Sequence, residues 1–173
     1  HLPDFRASER SYQLLTQVAG RAGRHSDKPG QVILQTYNPE HTSIGLALNN
    51  DFSGFADHEL LERKALSYPP FGKLVSLRIS GNTLEKVELV SQRLRKRSEA
   101  LKKHREVYKS IAVLGPAPAP LVKVRNRFRY HLLLKAPNYQ VLHSFAKELI
   151  TDQSNKYPSG TKVQIDVDPY NMM

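Results

Sequence analysis

The chain predicts a mixed protein in two parts, the end of an α/β layer followed by an α+β domain. Three observations carry this. Up to residue 72, helical apolar spacing surrounds one short β-branched stretch, Gln31 to Thr36. From Lys73 onward, strand-like and helix-like patterns alternate in the order β-α-β-β-α-β. The charge also changes between the parts: residues 1–72 hold 7 basic and 8 acidic side chains, residues 73–173 hold 19 and 8. The whole formal excess of +10 therefore belongs to the second part, and a boundary falls near Pro69-Pro70.

Taken in order, Arg6 to Ala19 reads as a helix with Tyr12, Leu15, Val18 and Ala19 as its apolar stripe. Ser26 to Gly30 is turn chemistry, and Gln31 to Thr36 alternates as a strand that Asn38-Pro39 ends. His41 to Leu48 is a short helix, and Asn49 to Gly54 a loop. Asp57 is placed to cap a helix through Leu60 and Leu61 to about Leu66, which Tyr68-Pro69-Pro70 stops. Leu74 to Ile79 is a strand. Thr83 is placed to cap a long helix to about His104, with Val87, Val90, Leu94 and Leu101 inward. Ile111 to Leu114 is a second strand, interrupted by a Pro-rich run and resumed at Leu121 to Val124; proline suits an edge or bend. Phe128 to Lys135 is the third strand. Tyr139 to Ile150 is a helix with Val141, Leu142, Phe145 and Leu149 as its apolar face, and Val163 to Val167 closes the order. That order is the split βαβ, ferredoxin-like arrangement.

Composition bounds the function. At 173 residues there is room for one or two small domains. No apolar run is long enough to span a membrane, and no signal-peptide pattern opens the chain, so an intracellular protein with no membrane partner is expected. There is no cysteine, and the seven histidines form no His-x-x-x-His pair, so no metal site is expected here. The basic second part points to a polyanionic partner.

One run stands apart: Thr16-Gln17-Val18-Ala19-Gly20-Arg21-Ala22-Gly23-Arg24. If the segment coils, Gln17, Arg21 and Arg24 share roughly one helical face. Gly20 and Gly23 let another surface or a nucleotide approach the backbone. The arginine fork matches phosphate oxygens and stabilises charge on a transferred phosphoryl group. The run resembles motif VI of superfamily 2 helicases, in the version Gln-x-x-Gly-Arg-x-Gly-Arg. Its surroundings sharpen the match: Leu2-Pro3-Asp4-Phe5-Arg6 upstream, then Gly30 to Pro39, Pro69-Pro70-Phe71, Leu114-Gly115-Pro116-Ala117-Pro118-Ala119-Pro120 and Asp166-Val167-Asp168-Pro169. This ordered set resembles the C-terminal part of the primosomal replication-restart helicases, the PriA (primosomal protein N′) family, over essentially the whole chain.

The resemblance implies residues 1–50 as the tail of a RecA-like second helicase lobe, 51–72 as a helical connector, and 73–173 as a DNA-binding domain like ribosomal protein S10. It implies a bacterial, cytoplasmic 3′→5′ DNA translocase that uses ATP and Mg2+, recognises abandoned replication forks and helps reload the replicative helicase. Its partners would be forked and duplex DNA, single-stranded DNA, single-stranded DNA-binding protein and other primosome proteins. Within the run, Arg24 would be the arginine finger at the γ-phosphate, Arg21 a second phosphate contact or a link to the first lobe, and Gln17 would orient ATP or the attacking water. The chain has no Gly-x-x-x-x-Gly-Lys-Ser/Thr loop and no Asp-Glu-x-His motif, so it is expected to be a C-terminal fragment that does not hydrolyse ATP alone. The family's zinc-binding insertion would lie upstream of His1.

The DNA-binding expectation also stands on residues. Lys123, Arg125, Arg127 and Arg129 alternate with Val124, Asn126, Phe128 and Tyr130. On one extended strand these cations would share a face about 6 to 7 Å apart. In a hairpin with Arg125-Asn126 at its tip they would cluster around a protruding turn. Arg78 and Lys135 are candidate additions, and Tyr130 and His131 could stack on a base, although Tyr130 also suits the core. The helix face carrying Arg93, Arg95, Lys96, Arg97, Lys102, Lys103 and Arg105 is a weaker pointer, because a charged outer face is the ordinary state of a surface helix. Two other readings of the second part remain: an RNA-binding or protein-docking module with an S10-like fold, and a basic scaffold that captures an acidic peptide tail.

Overall fold

A helix buries its apolar stripe only against a neighbour, and a strand needs a partner for its backbone groups. The computed structural model describes residues 4–22, 31–151 and 157–170. They divide into two units, one reaching to Ala65 and the other running from Leu66. Each has its own core.

The first unit is helical. Helix α1 spans Ala7–Ala19, α2 Thr42–Leu48 and α3 Phe52–Ala65. Each contributes one buried apolar side chain, Tyr12, Ala47 and Phe55. Tyr12 and Phe55 stack with centroids 4.2 Å apart. Arg63 near the end of α3 donates to Glu9 of α1 at 2.8 Å and to Glu59 at 2.9 Å. Burial opposes its charge, but both carboxylates outweigh this and raise its pKa.

Three expectations fail in this unit. The α1 stripe reduces to Tyr12 with Leu15 beside it, since Val18 is 52 % exposed and Ala19 is exposed too. Gln31–Thr36 forms no strand, and all six residues are exposed. Its β-branched pattern is genuine, yet the described residues of this unit contain no strand to pair with. Helix α3 begins more than a turn before Asp57. Asp51 caps it instead, accepting from the Gly54 N–H at 2.9 Å. The earlier start brings Phe52 and Phe55 onto Tyr12. The predicted turn from Ser26 to Gly30 lies outside the described residues.

The second unit carries every described strand. Its elements are β1 Lys73–Gly81, α4 Leu84–His104, a 3-10 turn Glu106–Tyr108, β2 Ala112–Val124, β3 Arg127–Ala136, α5 Tyr139–Ile150 and β4 Lys162–Val167. The strands form one antiparallel sheet in the order β2-β3-β1-β4. Val75, Leu77 and Ile79 of β1 and Leu132 and Leu134 of β3 face one way. They pack with Val87, Val90 and Leu94 of α4 and Leu142, Phe145 and Leu149 of α5. Asn138 caps α5, accepting from the N–H of Gln140 at 2.8 Å and of Val141 at 3.3 Å. Thr83 occupies the equivalent place before α4, but its side chain makes no cap bond.

The Pro-rich run does not break β2 in two. It leaves a single edge strand with register shifts between Leu114 and Ala117 and between Pro118 and Lys123. On an edge, the missing proline N–H groups cost no ladder bonds. Gly115 supplies the positive φ of 95° that one of these irregularities needs. Both helices pack on the same side of the sheet, so the opposite side carries no helix of this unit. Among the described residues, no helix is long and apolar enough to cross a membrane.

Candidate nucleic-acid interface

Strand alternation decides what lines the helix-free side. Residues opposite one another across the ladders share a face. Ser80 pairs with Arg129, Arg78 with His131 and with Gln164, and Ser80 with Lys162. Arg127 is two residues from Arg129 and joins the same face. These side chains, with Ala119, Val124 and Arg125, line a cavity of about 320 Å³.

The hairpin arrangement, not the single extended strand, is the one adopted. Val124 pairs with Arg127, leaving Arg125-Asn126 as a two-residue turn. Both residues have positive φ, 47° and 60°, as a type I′ turn requires. Asparagine accepts that conformation readily; arginine does so at a cost of about 1 to 2 kcal/mol. Arg125 therefore holds a backbone conformation that favours asparagine or glycine over arginine.

The four cations do not share a face, because the turn reverses the strand. Lys123 stands opposite Phe128, whose ring packs against the core, and its ammonium lies 4.9 Å from that ring centre. Lys123 therefore sits on the helix side, away from Arg127 and Arg129. Arg127 is anchored, donating to Asn82 Oδ1 at 3.2 Å and to the carbonyls of Ser80 at 3.3 Å and Gly160 at 3.0 Å. The Nε and Nη2 groups of Arg129 both donate to the Leu121 carbonyl, at 3.2 and 2.9 Å. The side chains of Arg125 and Lys162 make no hydrogen bond or ion pair with the described residues.

Arg78 reaches this face but is ion-paired with Asp166. Lys135 sits eight residues along β3 from Arg127, about 26 Å at strand rise. Its ammonium is taken by the Leu66 carbonyl and the Tyr68 ring, at 4.7 Å, so it ties the start of the unit to the sheet. Tyr130 packs against the core and donates to Glu88 at 2.7 Å; that bond and, secondarily, burial raise its pKa. His131 lies on the cavity side, where burial lowers its pKa and leaves the imidazole neutral at pH 7.

The basic face of α4 is largely committed to the fold. Arg95 donates to the carbonyls of Val113 and Gly115, Arg97 to that of Glu148, and Lys102 to that of Ile111. Arg105 pairs with Glu148 at 3.0 Å. Only Arg93, Lys96 and Lys103 of that face lack a bond to the described residues. Lys162 was missed in the sequence. The signal was present, since Lys162, Gln164 and Asp166 alternate with Val163, Ile165 and Val167.

In the first unit, Gln17 is exposed near the end of α1 and borders a shallow depression with Arg10, Gln13 and Leu14. Gly20 ends the helix with φ −69°, a conformation open to any residue, so the turn itself does not demand glycine there. Arg21 follows in the turn, exposed and with no side-chain bond to the described residues. Gly23 and Arg24 lie outside the described residues. The chain contains no cysteine, and among the described residues no group of three or more histidines and carboxylates lies together.

Comparison with known proteins agrees with this division. The family model for the primosomal protein N C-terminal domain matches residues 64–170. The replication restart protein PriA of Synechocystis is 40% identical over 171 residues, 98% of this chain and 19% of that protein. Those of Bacillus subtilis and Treponema pallidum are 35% and 36% identical over 100% of this chain, and 21% and 25% of their own lengths. The chain thus spans about a fifth to a quarter of the curated relatives it matches. Among solved structures, the de novo designed protein Foldit4 overlays 58% of this chain at a TM-score of 0.40 and 17% identity, too slight a likeness to argue from. With its domain match from residue 64 to 170 and the full-length similarity to their C-terminal part, the chain belongs to the PriA family.

Proposed function

We propose that this chain is the C-terminal part of an ATP-dependent 3′→5′ DNA helicase that recognises stalled forks and starts primosome assembly for replication restart. The second unit grips forked or duplex DNA with the helix-free side of its sheet. The observation that carries this is the cation cluster at the β2–β3 hairpin and β4, where the side chains of Arg125 and Lys162 have no partner among the described residues. Cations left uncommitted on one face are what a phosphate backbone needs. The element order and the strand order β2-β3-β1-β4 support the ferredoxin-like, S10-like domain that the resemblance implies.

The first unit supplies the end of the motor's second lobe. Exposed apolar side chains such as Leu14, Ile33, Leu48 and Leu61 support a surface meant to be covered. ATP with Mg2+ would supply the phosphoryl group whose transfer drives the motor. Towards it, Arg24 acts as the finger on developing charge, Arg21 holds a second phosphate oxygen, and Gln17 orients the nucleotide. Single-stranded DNA-binding protein and other primosome proteins are the partners of the whole helicase.

Two measurements test this reading. The chain's affinity for forked duplex should fall steeply and linearly on a log–log plot against salt, with little sequence preference; a preference for structured RNA would favour the RNA-binding alternative. In the full-length helicase, Arg24→Ala should lower DNA-stimulated ATP turnover by about 10³-fold or more, with near-normal turnover contradicting the assignment.

A further inference from the structure

We infer that the cavity on the helix-free side is a socket for a single unpaired nucleotide, its base stacked on the anchored arginines and its phosphate held by Arg125 and Lys162. This rests on the proposal that the same face binds DNA. The N–H edge of Arg127 is spent on Asn82, Ser80 and Gly160, and two N–H groups of Arg129 are spent on the Leu121 carbonyl. A guanidinium whose edge is committed still presents its planar face, and such faces stack on nucleobases. Anchoring also means that little side-chain freedom is lost when a base lands there.

The lining completes the match. Ala119 and Val124 add apolar surface, and His131, kept neutral by burial, adds a flat ring. At about 320 Å³ the space is at the small end of ligand pockets, roughly 300 Å³ upward. A convex ridge would suit a phosphate track alone. A concave, part-apolar cavity ringed by cations suits a group that is anionic at one end and flat at the other. A base still paired in a duplex has both faces covered and cannot enter, so the occupant belongs to an unpaired strand or a strand end beside a duplex. An acidic peptide is the weaker match, because Arg127 and the Nε–Nη2 side of Arg129 already have their N–H groups engaged.

The test uses the whole chain and a ligand series followed by NMR and calorimetry: deoxythymidine monophosphate, deoxyribose 5-phosphate and hexa-aspartate. The monophosphate should shift the Ala119 methyl resonance and bind about tenfold or more tighter than deoxyribose 5-phosphate, as one stacked base provides. A duplex with a short single-stranded tail should likewise outbind the same duplex with an abasic tail. Ala119→Leu, which adds bulk to the cavity lining and alters no charge, should erase both preferences. Equal binding of deoxythymidine monophosphate and deoxyribose 5-phosphate would overturn the socket, as would hexa-aspartate binding as tightly as the monophosphate. If Ala119→Leu fails to fold, the ligand series on the unaltered chain decides alone. The two readings fail separately. Blunt duplex bound without any base preference sinks the socket and spares the DNA-binding face. No duplex binding sinks that face, and the monophosphate comparison still upholds or overturns the socket.

Discussion

Changing both Arg125 and Lys162 to glutamate is expected to weaken duplex binding about 100-fold near 0.1 M salt and to flatten its salt dependence by about 2 in slope. Neither side chain bonds to the described residues, so no bond to them is lost when the two change. Each reversal removes one phosphate contact and places a carboxylate where a phosphate would sit. Fluorescence anisotropy over a salt series reads both effects. Reversing Arg93, Lys96 and Lys103 on the helix side should change affinity by about threefold at most, since distant exposed charges are screened within about 10 Å. The turn allows a sharper contrast. Arg125→Asn should raise stability by roughly 0.5 to 1 kcal/mol, because asparagine accepts the left-handed conformation that arginine holds under strain, yet it should weaken DNA binding. A variant that both folds better and binds worse separates the residue's role in binding from any role in folding.

The largest effect on stability is expected from Phe145→Ala. Phe145 is fully buried between the sheet and the helices and meets the Tyr108 ring edge-on at 5.0 Å and 72°. Tyr108 is itself fixed, since its hydroxyl donates to Glu148 at 2.7 Å. Burial first, and that bond second, raise its phenol pKa. Removing the Phe145 ring should cost about 3 to 5 kcal/mol, a large share of the 5 to 15 kcal/mol that holds a typical domain together. The second unit should lose its cooperative thermal transition at 37 °C or show it well below the parent midpoint. Phe145→Leu, which keeps most of the volume, should cost under about 1.5 kcal/mol. A shift of less than about 2 °C for Phe145→Ala would contradict the packing.

What could be read from the sequence followed how local its cause was. Helix α5 was legible because the spacing of Val141, Leu142, Phe145 and Leu149 lies within one segment. The start of α3 was not. Asp51 and Asp57 both suit a cap, and the choice falls to Asp51 because Phe52 and Phe55 meet Tyr12 on a distant helix. Gln31–Thr36 carried a strand pattern, but a pattern cannot supply the neighbouring strand. For the site, the charges were visible and their commitments were not. Nothing local in Lys135 announces that the Leu66 carbonyl holds it, and nothing in Lys123 announces the Phe128 ring. The hairpin stayed open as an alternative because Arg-Asn is a far weaker turn signal than Asn-Gly. Lys162 joins Arg127 and Arg129 only through cross-strand register across β1.

DNA bound on the helix-free side of the sheet would lie against the β2–β3 hairpin and β4. Photo-crosslinking the chain to a fork carrying 5-iododeoxyuridine, followed by peptide mapping, tests it most directly. Adducts should concentrate on the β2–β3 hairpin from residue 119 to 131 and on β4 around residues 162 to 164. Adducts concentrated instead on α4, around Arg93, Lys96 and Lys103, would place the DNA on the opposite side and contradict the account.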